Sequence, residues 1–302
     1  MSIPSPVTRR GALTLAAGLA AAMTVPVSAY AQDNSRYAGY SPADRAEPYA
    51  RFMAERTAPP QAAVTRAYAG PPTPAARIPP FTSLAGELGS PGYSAVETGY
   101  GCTDSGVVWV AIHTPMPRVT AAMWDWWFGW HLAESARYKL WHPDAHLYAE
   151  VATDHSGRQL PDRQRYMGNV SYVDEYIGPK LQQLAIAFHD PRTLGFTVPD
   201  GHTVIVGRVG SAIAPIDLGW LAHQVRPAPG GSEMRSRFYL REYGTHVFDS
   251  EHAVRAFERG PAADPGDLLP NLDTARDLML HCGQEMNHLA QFLPELYAEF
   301  GQ

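Results

Sequence analysis

An α+β fold, with an antiparallel sheet curled around a long C-terminal helix behind a Pro-rich N-terminal extension, follows from three features of the chain. Strand-like runs succeed one another from about residue 107 to residue 243 with turn residues between them, as in "PAPGGS". One helix-length amphipathic segment, "NLDTARDLMLHCGQEMNHLAQFLPELYAEF", closes the chain. An order of helix, then strands, then helix places the helices against one antiparallel sheet rather than alternating with parallel strands.

Taken in order, residues 1–31 read as an export leader, with a retained N-terminal anchor as the alternative. Arg9 and Arg10 precede an uncharged stretch, and Ala29-Tyr30-Ala31 offers the small-x-small site that a signal peptidase accepts. Cleavage after Ala31 leaves 271 of the 302 residues and takes the formal net charge from −6 to −8, because the leader carries two Arg and no acid. The expected location is therefore periplasmic or secreted by the twin-arginine route, with no stable membrane insertion once the leader is gone. Acidic balance without Lys/Arg runs excludes a nucleic-acid partner. A small molecule remains as the partner class, with a homodimer open as the assembly. Cys102 and Cys282 are a single pair at most, too few for a disulfide framework, and no CxxC exists for finger-type zinc.

Residues 32–95 are dense in Ala and Pro, which breaks both helix and ladder, so extended coil with short helices is expected there. The body, 96–302, begins with the strand "GVVWVAIHTPM" and continues into "RVTAAMWDWWFGWHLAESARYKLW", Pro-free and long enough to be one helix. Strands follow at "HLYAEVAT", "RYMGNVSYVDEYI", "LQQLAIAFHD", "HTVIVGRVG", "GWLAHQV" and "MRSRFYLREY". The last helix is expected to cap at Asn271 and to bend near Pro294.

Chemistry concentrates on three of these elements. His281 and Glu285 stand at i and i+4 and share one face of the last helix, where both can reach one ion; an ordinary solvated face also fits so short a pattern. His288 continues that face a further turn away and suits packing or outer contact. His131 lies among Trp124, Trp126, Trp127, Phe128 and Trp130, where burying an imidazole requires a partner, though a hydrogen-bonded core histidine meets that need equally. Asp174 and Glu175 alternate across a strand, so one of them turns inward among apolar neighbours. With Glu175 inward, His131, Glu175, His281 and Glu285 make a two-nitrogen, two-oxygen donor set suited to zinc or another divalent ion. His142 and His146 flank a helix end, where capping is the default. His155, His189, His202, His246 and His252 fall on loops or edges, and His113 on a strand has no assignable role.

The blocks "WWFGWHLAESARYKLWHPDAH", "VDEYIG", "GGSEMRSRFYL" and "HCGQEMNHLAQFLPELY" resemble those of the 2,4-diacetylphloroglucinol hydrolase and phloretin hydrolase family, from about Val107 to Phe300. That resemblance implies a helix-grip fold like the birch-pollen allergen's and hydrolysis of the carbon-carbon bond between an acyl group and a phenolic ring. It also implies a metal held by two His and two Glu, which fall by position on His131, Glu175, His281 and Glu285. By the same carry-over His223 is catalytic and Tyr239 binds substrate. Glu134 stands where the diacetylphloroglucinol enzyme carries an amide, one turn after His131, and is expected to orient water or a ring hydroxyl over the metal. The tryptophans, Trp127 among them, are expected to wall an apolar cavity for a flat aromatic ring. The expected activity is thus a Zn2+-type hydrolase of an aromatic ketone. An ester or amide hydrolase using the same activated water, and a hydrophobic-ligand carrier of the same fold, are the rivals.

Overall fold

Residues 39–247, 249–260 and 269–301 are described by the computed structural model, and the expected leader lies outside them. Eight strands form one sheet: β1 (Gly99–Cys102), β2 (Val108–Pro117), β3 (His146–Val151), β4 (Val170–Ile177), β5 (Lys180–His189), β6 (Thr203–Ser211), β7 (Asp217–Ala228) and β8 (Gly231–Gly244). Every neighbouring pair is antiparallel, in the order β1-β2-β8-β7-β6-β5-β4-β3. Short connections make this order natural, because β4 to β8 are successive hairpin neighbours and β2 then pairs with β8.

Described helices are α1 (Ala62–Ala69), α2 (Leu84–Gly89), α3 (Ala121–His131), α4 (Ser135–Trp141), α5 (Asp162–Tyr166), α6 (Ser250–Arg259), α7 (Leu272–Ala290) and α8 (Leu293–Phe300). Helix α7 packs on β1 and β2 from one half of the sheet and on β4 from the other, so the sheet curls around it. Asn271 caps α7 reciprocally with Thr274. The hairpin between β4 and β5 lies flush on the same helix: Gly178 has φ +58°, and a Cβ there would fall 2.0 Å from the Asp277 carboxylate. Among the described residues no helix is long and apolar enough to cross a membrane, and both cysteines are free thiols.

Strand alternation divides the core in two. Ile112, Ile205, Leu221 and Phe238 face α7 and join its Leu278, Met279 and Met286. Trp109, Ala111, Val206, Ala222 and Tyr239 face the other way, where Leu84 and Leu88 of α2 cover them. The Pro-rich extension is therefore short helices and coil packed on the body, with Val64 of α1 buried against Gly283 of α7.

Two long helices expected from the sequence are each divided. The segment 118–141 breaks after His131: Glu134 is extended (φ −149°, ψ 123°) and becomes the N-cap position of α4. The C-terminal segment breaks at Gln291 and Phe292, and Pro294 sits in the first turn of α8, where its missing N–H costs nothing. The strand expected over 165–177 starts at Val170, since 162–166 are helical.

Candidate metal centre and cavity

Four donors from three elements converge where the sheet meets α7. His146 opens β3, Glu175 lies opposite it on β4, and His281 and Glu285 stand one turn apart on α7. His146 Nε2 lies 3.3 Å from His281 Nε2, 3.5 Å from Glu285 Oε2 and 3.6 Å from Glu175 Oε2. His281 Nε2 is 3.8 Å from Glu285 Oε2 and 3.9 Å from Glu175 Oε2. A tetrahedron with metal–ligand bonds of about 2.0–2.1 Å has edges of about 3.3–3.4 Å, so His146, Glu175 and His281 form a compact, slightly open donor group, with Glu285 close to both histidines.

The surroundings fix the donors. His146 Nδ1–H donates to the Tyr138 carbonyl at 2.9 Å, which leaves the Nε2 lone pair to the cluster. His281 is hydrogen-bonded to the Tyr176 backbone. The Tyr138 hydroxyl donates to Glu175 Oε2, and its ring stacks on His146 at 3.7 Å and 6°. Burial pushes the Glu285 carboxyl well up, and the neighbouring Glu175 adds to the shift. Burial likewise pulls the imidazoles of His146 and His281 down. Among the described residues no Arg or Lys pairs with either acid; their ion-pair partners are the two histidines. A divalent cation is the group this donor set fits.

Glu175, His281 and Glu285 face a cavity of about 70 Å3 between α7 and the inner sheet face. Its walls are aromatic: Phe128, Tyr138, Trp141, Phe188 and Phe238. His223 on β7 enters the same space, with Nδ1 2.8 Å from Ser236 Oγ, and burial holds its pKa down at about 3, so the ring is neutral near pH 7. Ser171 and Trp141 also line the cavity, and the Ser171 hydroxyl and Trp141 indole N–H are buried without a hydrogen-bond partner.

Five of the eight site residues expected from the sequence meet in this space: His131, Glu175, His223, His281 and Glu285. His131, however, is not one of the converging donors, and His146 stands with Glu175 and His281 instead. His131 Nδ1 is held by the Trp127 carbonyl at 2.7 Å, and its ring lies in a near-parallel column: Trp127 to His131 is 4.7 Å and His131 to Tyr138 is 6.0 Å. Tyr138, not His131, stacks on His146. Trp127 backs this column from the core without lining the cavity.

Glu134 is turned away from the cavity. Because the helix breaks before it, the expected one-turn offset from His131 is lost; it accepts from Tyr49 at 2.8 Å and pairs with Arg137 at 2.7 Å. Tyr239 lies on the outer face and donates to the Pro79 carbonyl at 3.1 Å. Register dictates this, since His223 pairs with Ser236 while Trp220 pairs with Tyr239. Phe238 is the residue of that strand facing the cavity.

Sequence reasoning missed His146, Tyr138, Ser171 and Trp141. The signal for His146 was its place as the first residue of a strand-like run inside "WHPDAHLYAEV", paired across the sheet with Glu175.

Residues 81–298 match the family described as DAPG hydrolase PhiG domain. A 2,4-diacetylphloroglucinol hydrolase from Pseudomonas sp is 30% identical over 277 residues, covering 85% of this chain and 90% of its own. A protein of the same name from Pseudomonas protegens is 30% identical, covering 85% and 86%. The phloretin hydrolase of Eubacterium ramulus is 29% identical over 208 residues, 67% of this chain and 71% of its own. The solved structure of Ara h 8.0201 aligns to 58% of this chain and 99% of its own at 11% identity, with a TM-score of 0.30.

Proposed function

The chain belongs to the DAPG hydrolase family, and from that premise we propose that it hydrolyses the carbon-carbon bond joining an acyl group to a phenolic ring. The observation that carries the reading is the buried cluster of His146, Glu175 and His281, with Glu285 beside both histidines, at the edge of an aromatic cavity that also holds His223. We assign zinc as the ion, since two imidazoles and two carboxylates gathered in one place suit it. A bound ion would supply Lewis acidity toward the ketone oxygen and toward water.

In the overall reaction the bond between ring carbon and carbonyl carbon breaks, water adds its oxygen to the carbonyl carbon, and the ring carbon takes a proton. The chain's residues divide these tasks. Phe128, Trp141 and Phe238 hold a flat ring and exclude water, while the free Ser171 hydroxyl and Trp141 N–H offer hydrogen bonds to ring hydroxyls. His223 rests neutral, so the proton it delivers to the ring carbon is first collected from the attacking water or from a ring hydroxyl. Ser236 fixes its orientation through Nδ1. The rest of the reading is export by the leader and a homodimer as the assembly, checked by fractionation and by sedimentation.

The test is zinc-loaded protein with an acylphloroglucinol and with a simple aryl ester, products identified by mass. Carboxylic acid and free phloroglucinol are expected from the ketone. His223→Ala is expected to lower turnover about a hundredfold or more with metal content unchanged. Cleavage of the ester alone would replace this reading with an ordinary esterase.

A further inference from the structure

Besides a larger open pocket lined by His142, Tyr176 and His281, two small chambers adjoin the metal centre between the helix and the inner sheet face. The aromatic chamber described above holds His223, Ser171 and Trp141. A second chamber, also about 70 Å3, runs from Glu175 along the inner sheet toward Pro270 and Thr274 at the start of α7. The two share Glu175, Ile186, Leu221, Phe238 and Leu278, so they adjoin at the metal cage. The second is walled by Leu184 of β5, Val209 of β6, Leu218 of β7 and Leu240 of β8. Leu218 and Leu221, three residues apart, both reach it because the ladder shifts register between Asp217 and Gly219.

Gln182 and Thr274 also line the second chamber, so what separates the two is the placement of unpartnered groups. Buried side-chain groups without a partner occur on the aromatic side, at Ser171 and Trp141, and none of the second chamber's residues contributes one. His223, the group placed to protonate the ring carbon, likewise lines only the aromatic side. A substrate whose scissile bond lies at Glu175 is thus oriented: hydroxylated ring toward His223, acyl group toward the leucines.

Resting on the hydrolase reading, we infer that the second chamber is an acyl pocket and that the preferred substrate carries an aliphatic acyl chain of about four to six carbons. At about 15 Å3 of such space per water-sized group, the chamber takes roughly five. Each methylene moved from water into it tightens binding about three- to fourfold, if the chamber is otherwise dry.

Two measurements test this. The first is binding of straight-chain alkyl phenyl ketones, from acetophenone to octanophenone, to metal-free protein by calorimetry. Kd is expected to fall about three- to fourfold per methylene up to the six-carbon acyl group and then to level; no dependence on chain length, or weakening, overturns the pocket. The second is kcat/KM of the zinc-loaded enzyme on acetyl- through octanoylphloroglucinol, expected to peak at four to six carbons. Leu218→Phe should lower the hexanoyl-to-acetyl ratio at least tenfold. Should that variant not fold, Leu184→Ala serves instead and should move the peak to longer chains. Ser171→Ala should leave the ratio within about twofold; a tenfold fall there would reverse the orientation and overturn the inference. Hydrolysis with a flat or falling chain-length profile also defeats the inference and spares the activity. If no acylphenol is cleaved while ketone binding still tightens with length, the activity falls and the pocket stands.

Discussion

Each face of the sheet holds a pair of glutamates, half-buried outside and buried inside, and the two pairs are neutralised by opposite means. On the outer face Glu87 and Glu97 meet Arg237 at 2.9 Å each, and Glu97 meets Arg235 at 2.7 Å; both arginines are fully buried. On the inner face Glu175 and Glu285 have two imidazoles and a phenol, none carrying a permanent positive charge. Burial raises Glu97, but Arg235 and Arg237 outweigh it and hold that carboxyl at about 2. Nothing comparable opposes the rise of Glu285. The outer pair is complete within the chain and ties the 84–97 segment to the sheet, whereas the inner pair lies in a donor set that fits a cation.

This contrast can be broken at either face. The largest effect is expected from Arg237→Ala, which takes from Glu87 its arginine and leaves Glu97 to Arg235 alone: about 3 kcal/mol of stability lost in denaturant unfolding, whether or not zinc is present. Next comes Glu285→Gln, which should act with opposite signs. It removes a buried carboxyl whose charged form the metal-free protein disfavours and so stabilises that form, yet it weakens the gain from zinc, about 2.7 kcal/mol at a free-ion level a hundredfold above Kd. Paired thermal melts with zinc and with chelator give both signs; equal zinc shifts in parent and variant would remove Glu285 from the cage.

The outer pair also sets an acid limb. Glu97 falls from an ordinary 4.5 to about 2 on folding, so its contribution is present above pH 4.5 and is lost as pH drops toward 2. Allowing for partial solvent contact, about 2 kcal/mol should disappear over that range, and Glu97→Gln should flatten the stability profile there. Smallest is Glu134→Gln, which weakens an intermediate-exposure pair with Arg137: under about 1 kcal/mol, with zinc content and substrate ranking unchanged.

How far the sequence could be read depended on the range of the physics involved. The i, i+4 pair His281 and Glu285 was legible because both ends lie on one helix whose geometry is local. So was the choice between Asp174 and Glu175, in part: alternation requires that one turn inward, and Arg259 of α6 holds Asp174 on the outside. His131 and Glu134 misled because the helix through them breaks, and no Pro or Gly between residues 130 and 141 marks the break. Tyr239 misled for a different reason. Its face is set by the register of β8 against β7, and that register is a property of two strands together.

Tyr138 touches two of the four donors by three separate means: its carbonyl fixes His146, its ring lies flat on the same imidazole, and its hydroxyl fastens Glu175. Two donor side chains are thereby immobilised when the body folds, before any ion arrives. The entropy of ordering them belongs to folding and is absent from the affinity of the site. Tyr138→Phe keeps the ring and the carbonyl but releases the carboxylate, which makes it a way to weigh the rigidity of one donor against the strength of its bond.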